Sequence, residues 1–108
     1  MGKTAADLDL HPLAEIDQVI HAPARLMLLS YLYVVDSADY VFLMRLSGLT
    51  WGNLSTHLTK LEQAGYITVT KEFKGKKPHS TISLTGDGRV AFKQYKQSLQ
   101  QVLDDLPD

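Results

Sequence analysis

The chain of 108 residues contains no cysteine. Disulfides and thiolate metal sites are therefore excluded. Its four histidines, His11, His21, His57 and His79, include no pair at helical i, i+4 spacing, so no metal site is expected. No nucleophile motif and no carboxylate pair stands out, and nothing asks for a cofactor. The chain therefore reads as a non-enzyme. No apolar run is long enough to span a bilayer. The opening MGKTAADLDL is acidic and poor in apolar residues, unlike a signal or transit peptide. Ala6 stands where myristoylation wants Ser or Thr. The GKT of residues 2–4 has no strand or first glycine before it, so it is not a phosphate loop. A soluble cytoplasmic protein with no membrane partner is the expectation.

Excess charge is also lacking: the formal net charge is −1. The distribution says more. Residues 1–24 set Lys3 against Asp7, Asp9, Glu15 and Asp17, a balance of −3. Residues 50–79 set Lys60, Lys71, Lys74, Lys76 and Lys77 against Glu62 and Glu72, a balance of +3. Positive charge gathered in one segment suits a docking surface for a polyanion. A lopsided charge map is also common in small domains. The length allows one domain, and 44% apolar residues is ordinary for a globular core.

Within the basic segment, TWGNLSTHLTKLEQAGY over 50–66 reads as one helix. Thr50 is its N-cap and Gly65 its terminator. Leu54, Leu58 and Leu61 form one apolar stripe. At 100° per residue, Gly52, Asn53, Ser55, Thr56, Thr59, Lys60 and Gln63 point away from it. Ordinary solvated faces carry Glu and Lys. This one carries short hydrogen-bonding side chains and a lysine, which suits a base edge and its phosphate. His57 lies on a flank of the stripe, part-buried or on a phosphate. Trp51 lies on the other flank, placed to pack against the wing or the short helix before it.

The remaining elements follow in order. HPLAEIDQVI reads as a short helix with Leu13, Ile16 and Ile20 on its apolar side. Pro23 to Val35 reads as the central buried helix; Arg25 in its first turn can pair with a nearby carboxylate or touch phosphate, and the structural role is favoured. Residues 36–39 read as a turn and Tyr40-Val41 as a very short strand. Phe42 to Ser47 reads as a short helix with Phe42, Leu43 and Leu46 inward. Two helices joined by a short glycine-containing turn form a helix-turn-helix. After Gly65 the period falls to two. YITVTKEF and STISLT read as an antiparallel hairpin, with residues 74–79 as a basic loop. Gly86 to Leu106 reads as a long final helix capped by Thr85. Phe92, Tyr95, Leu99, Val102 and Leu106 step 3, 4, 3, 4, a heptad seam. The seam can pack on the chain's own first helix or on a second copy. A seam running to the end of a small domain favours the second copy.

The resulting class is α+β and mainly α: a winged helix-turn-helix with a two- to three-stranded antiparallel wing and a long C-terminal helix. The reading helix spans about 50–64, the wing about 66–84 and the last helix about 86–106. The run LTWGNLSTHLTKLEQAGYITVTKEFKGKKPHSTISLTGDGRVAFKQY resembles the core of the MarR/ArsR-like winged-helix transcriptional regulators of archaea and bacteria. The likeness covers about Leu49 to Tyr95 and is nearest to the small single-domain group. HAPARLMLLSYL resembles the helix that precedes the helix-turn-helix in these proteins. The resemblance implies a homodimer on duplex DNA, on a pseudo-palindromic operator, in the nucleoid. The family's DNA-facing positions fall here on Asn53, Ser55, Thr56, Thr59 and Lys60, and on Lys74, Lys76 and Lys77 of the wing. Two departures stand out. The cysteine clusters of the metal-sensing branches are missing, and the flanking helices leave little room for an effector pocket, so any small-molecule effector is unknown.

Helix-turn-helix proteins set the first residues of the reading helix against base edges. Thr50 and Gly52, which leaves room for the backbone to approach, therefore join the DNA-facing set, and His57 joins it as a flank residue placed for a phosphate. Leu13, Ile16, Ile20, Phe92, Tyr95, Leu99, Val102, Leu103 and Leu106 form the dimerisation set. Two alternatives remain: a winged helix used for protein–protein contact, and a DNA-associated protein with no sequence preference.

Overall fold

The computed structural model describes residues 4–108. Lys3 lies outside them, as does the GKT of residues 2–4 apart from Thr4. In chain order the main elements are α1 (His11–Ala14), α2 (Pro23–Val35), β1 (Ser37–Asp39), α3 (Tyr40–Ser47), α4 (Trp51–Gln63), β2 (Ile67–Lys74), β3 (Lys77–Leu84) and α5 (Gly86–Asp105). The sheet has the order β1-β3-β2, with both pairings antiparallel. The molecule measures 65 × 26 × 21 Å with a radius of gyration of 17.0 Å. A compact chain of this length would give roughly 13 Å. The excess means that elements project beyond the core.

The core collects the inward faces of α2, α3, α4, α5 and the sheet, together with Ile16 and Ile20 of the segment after α1. Leu28, Leu29 and Leu32 of α2, Leu43 of α3, and Leu54 and Leu61 of α4 are fully buried, as is Ile82 of β3. Each such side chain contributes about 1.5–3 kcal/mol. Pro23 opens α2 at its first turn, where a missing N–H costs nothing.

Several boundaries differ from the sequence expectation. The helix expected over HPLAEIDQVI stops at Ala14. The Asp17 carboxylate accepts from the N–H groups of Val19 (2.8 Å) and Ile20 (3.2 Å), which holds the chain in a turn. The very short strand is Ser37–Asp39, not Tyr40-Val41. Asp39 caps α3 by accepting from Phe42 N–H at 2.7 Å, so Tyr40 is already helical. Leu43 is buried as expected, but Phe42 and Leu46 are exposed. Phe42 stacks on Tyr31 of α2 at 5.1 Å instead. The basic loop is shorter than 74–79: the strands run on until only Gly75 and Lys76 turn the hairpin. Gly75 has φ +66°, the value the first position of a two-residue turn demands. Pro78 is accommodated near the tip, beyond the stretch where β1 pairs with β3.

Candidate nucleic-acid interface

Helix α4 is fixed at both ends. The Thr50 hydroxyl accepts from Asn53 N–H at 3.2 Å. Such a cap stabilises by about 1 kcal/mol. At the far end Gly65 has φ +82°, Tyr66 N–H donates to Leu61 O (3.0 Å) and Gly65 N–H to Glu62 O (2.9 Å). This is a Schellman closure. Between the caps, Leu54, Leu58 and Leu61 are buried. Gly52, Asn53, Thr56, Thr59, Lys60 and Gln63 are exposed.

The polar side chains of α4 are not equivalent. Thr56 Oγ1 donates to Gly52 O at 3.0 Å. Its proton is spent, so it offers lone pairs and a methyl group to a partner. Ser55 is part-buried and lies 2.5 Å from the Tyr40 hydroxyl, which also donates to Trp51 O at 2.8 Å. A carbonyl can only accept, so the Tyr40 proton goes to Trp51 and Ser55 donates to Tyr40. Ser55 therefore helps fasten α3 to α4. Trp51 packs on the Tyr40 ring at 4.2 Å while staying 60% exposed.

His57 is part-buried beside Arg25, with Nδ1 3.1 Å from the guanidinium. A guanidinium only donates, so Nδ1 accepts and the neutral ring carries its proton on Nε2. Burial, then the charges of Arg25 and Lys60, push His57 below its ordinary pKa. Arg25 also donates to Val19 O (2.5 Å) and Gln18 O (3.4 Å). Its role is structural, through carbonyls and an imidazole rather than the expected carboxylate. It ties α2, α4 and the segment after α1 together. That segment is also held by the Tyr66 hydroxyl, which donates to Asp17. Burial and this hydrogen bond push the Tyr66 pKa up to about 12.

The wing is a ribbon with two different faces. Val69/Ile82, Lys71/Ser80 and Phe73/Pro78 are cross-strand pairs on one face. Thr70/Thr81, Glu72/His79 and Lys74/Lys77 occupy the other. Lys74 and Lys77 face each other directly, a like-charge pair that is unfavourable by itself and is relieved by an anion. Lys76 stands in the turn between them. A cleft of about 470 Å³ separates ribbon and helix, lined by Tyr40, Trp51, Thr59, Glu62, Lys71 and Pro78 among others. Sequence reasoning left Lys71, which lines this cleft, out of the candidate site. The alternation of Lys71 with Val69 would have placed it on the helix side of the ribbon. Phe73 is 74% exposed because the core ends before it.

The structure divides the residues assigned to dimerisation. Ile16, Ile20, Phe92, Tyr95 and Val102 are buried within one chain. Their surface is used by the chain's own fold, with α1 packed against α5. Leu99 is partly buried, whereas Leu13, Leu103 and Leu106 are exposed, as is Leu10. A cavity of about 340 Å³ lies between this N-terminal segment and α5, lined by Glu15, Asp17, Tyr66, Gln94, Tyr95 and Ser98 among others. Among the described residues, no cluster of His, Asp and Glu could hold a metal ion. None of their helices is long and apolar enough to cross a membrane.

Residues 24–103 match the family model of the winged helix DNA-binding domain. An uncharacterized protein of Methanocaldococcus jannaschii is 32% identical over 85 residues, spanning 79% of this chain and 92% of that one. The transcriptional regulator homologue of Pyrococcus horikoshii OT3 superposes with a TM-score of 0.82 at 27% identity, over 88% of this chain and 96% of its own. The YusO protein of Bacillus subtilis shares the fold, with a TM-score of 0.71 at 19% identity over 88% of this chain and 64% of its own. The matched residues take in the capped polar helix, the short helix before it and the lysine-tipped ribbon: the chain belongs to the winged helix DNA-binding domain family.

Proposed function

We propose that the chain is a sequence-specific regulator that binds duplex DNA as a homodimer. Helix α4 enters the major groove, with Gly52, Asn53, Thr56 and Thr59 toward base edges. Asn53 suits adenine, and the acceptor-only hydroxyl of Thr56 suits a base amine. Lys60 and the wing lysines Lys74, Lys76 and Lys77 supply sequence-independent attraction to phosphates. Lys71 and Thr59, on opposite walls of the cleft, flank the sugar–phosphate strand that separates the two grooves. The observation that carries this reading is the lysine-tipped ribbon standing beside an exposed helix face of short polar side chains.

Leu10, Leu13, Leu103 and Leu106 supply the exposed apolar surface for a second copy. Two reading helices would then sit roughly 34 Å apart on a pseudo-palindromic operator. The test is a titration of labelled duplex at two salt concentrations. Affinity should fall steeply with salt; affinity indifferent to salt rejects the phosphate contacts.

A second reading draws on another surface. Met27 and Val34 of α2 and Phe42 and Leu46 of α3 are exposed apolar side chains beside the Tyr31–Phe42 stack. That patch favours contact with another protein. Binding to a partner protein with no affinity for any duplex would support it over the DNA reading.

A further inference from the structure

We propose that Phe73 and Pro78 form an apolar wedge that enters the minor groove and partly unstacks a base step. The proposal rests on the duplex-binding reading above and adds a second source of sequence preference to it. Phe73 is the most exposed aromatic side chain among the described residues, at 74%, and sits in the most basic part of the chain. It is directly opposite Pro78, one pair in from the Lys74/Lys77 pair at the tip. Opposed side chains in such a ribbon stand about 5 Å apart, so the two make a single apolar tooth. The ribbon that carries the tooth is turned by two residues only, with Gly75 at φ +66°.

The core does not explain this pair. On the same ribbon face Ile82 is fully buried, and burial fades outward through Val69 and Lys71. An exposed phenylalanine flanked by Lys74, Lys76 and Lys77 gains little from the fold. It gains much from a surface that is negatively charged outside and apolar within. The minor groove is such a surface: phosphates flank it, and stacked bases lie beneath. Its width of about 6 Å does not admit a ribbon unless it opens. Apolar side chains such as Phe and Pro open it by entering between base steps and kinking the duplex. Pyrimidine–purine steps yield most easily, so the wedge selects duplexes by deformability rather than by base-edge hydrogen bonds.

The experiment uses the full chain at low salt and duplexes carrying 2-aminopurine either at a TA step or inside an A-tract. Binding should raise 2-aminopurine fluorescence at the TA step, and the TA duplex should be preferred. F73A should lose both the rise and the preference while still binding; F73L should keep them. Thermal unfolding of F73A should match wild type. Wild-type binding without any fluorescence rise overturns the wedge and leaves the DNA reading standing. Loss of thermal stability in F73A with an unchanged fluorescence rise assigns Phe73 to the hairpin alone and also overturns it. No duplex binding at low salt removes the DNA reading itself, and the wedge with it.

Discussion

The Thr85 hydroxyl donates to the carbonyl oxygen of Gly65 at 2.6 Å while accepting from Gly88 N–H at 2.9 Å. One side chain thus caps α5 and locks the residue that ends α4. Thr85 N–H adds a bond to Tyr66 O at 3.0 Å. The junction is tight: a Cβ built on Gly88 would lie 2.2 Å from Tyr66 O and 2.9 Å from Leu84 Cδ1.

Gly88→Ala is therefore expected to destabilise the chain by about 3 kcal/mol through overpacking against backbone. Gly86→Ala is the control, because nothing lies within 4 Å of its Cβ. It should be neutral or stabilising by up to about 1 kcal/mol. Urea unfolding of both variants checks the contrast.

Replacing Lys76 and Lys77 with alanine should weaken binding to all duplexes alike. If each contacts one phosphate, the slope of log affinity against log salt should flatten by about 2. Stability should rise slightly or hold, since a cluster of like charges at the tip is thinned. An unchanged slope places these lysines off the DNA.

Asn53→Ala and Thr56→Ala should leave the fold intact, because both side chains are exposed. Each should change which sequences are preferred, by about 1–3 kcal/mol at one base pair. Selection of bound duplexes from a random pool, repeated for each variant, reads this directly. Identical selected sites in all three proteins would reject the base-edge role.

His57 gives a pH dependence with a definite sign. Its pKa is lowered on folding, so below about 6.5 the unfolded chain binds more protons than the folded one. The stability contributed by the neutral ring is complete above that value. It is lost as pH falls from there toward the lowered folded value. His57→Gln should flatten this part of the stability profile, measured by chemical unfolding at stepped pH.

Leu103 is 52% exposed near the end of α5. Leu103→Asp should leave the monomer folded and abolish dimer formation in sedimentation at micromolar concentration. Phe92→Asp, by contrast, should unfold the chain, because Phe92 is buried and packs on Tyr33 at 5.0 Å. A wild-type monomer at that concentration removes the dimer proposal.

What could be read in advance was whatever acts over a few residues. Thr50, Gly65 and Thr85 announce helix ends because their caps bond within the next turn. Leu54, Leu58 and Leu61 announce a stripe because the helical period does the sorting. Contacts between distant segments left no such mark. Arg25 meets His57 only after folding. Gly88 looks like an ordinary helix glycine until Tyr66 is brought against it. The seam of α5 shows the same limit: its periodicity was legible, but not whether the chain or a second copy would cover it. Asp17 and Asp39 moved element boundaries because one carboxylate can outcompete the local pattern for backbone N–H groups. Within the site, exposed polar positions followed from the wheel. Ser55 was diverted by a tyrosine fifteen residues upstream.

Arg25 and Thr85 grip α4 and its terminus from two sides, and each also holds a different neighbouring element. Rotation of α4 about its own axis would break both grips, so the reading head travels as one block. If the proposed dimer forms through the exposed leucines of α1 and α5, the adjustable quantity is then the spacing between two such blocks. A signal that releases DNA would act on that spacing, as a caliper is opened at its hinge rather than at its points.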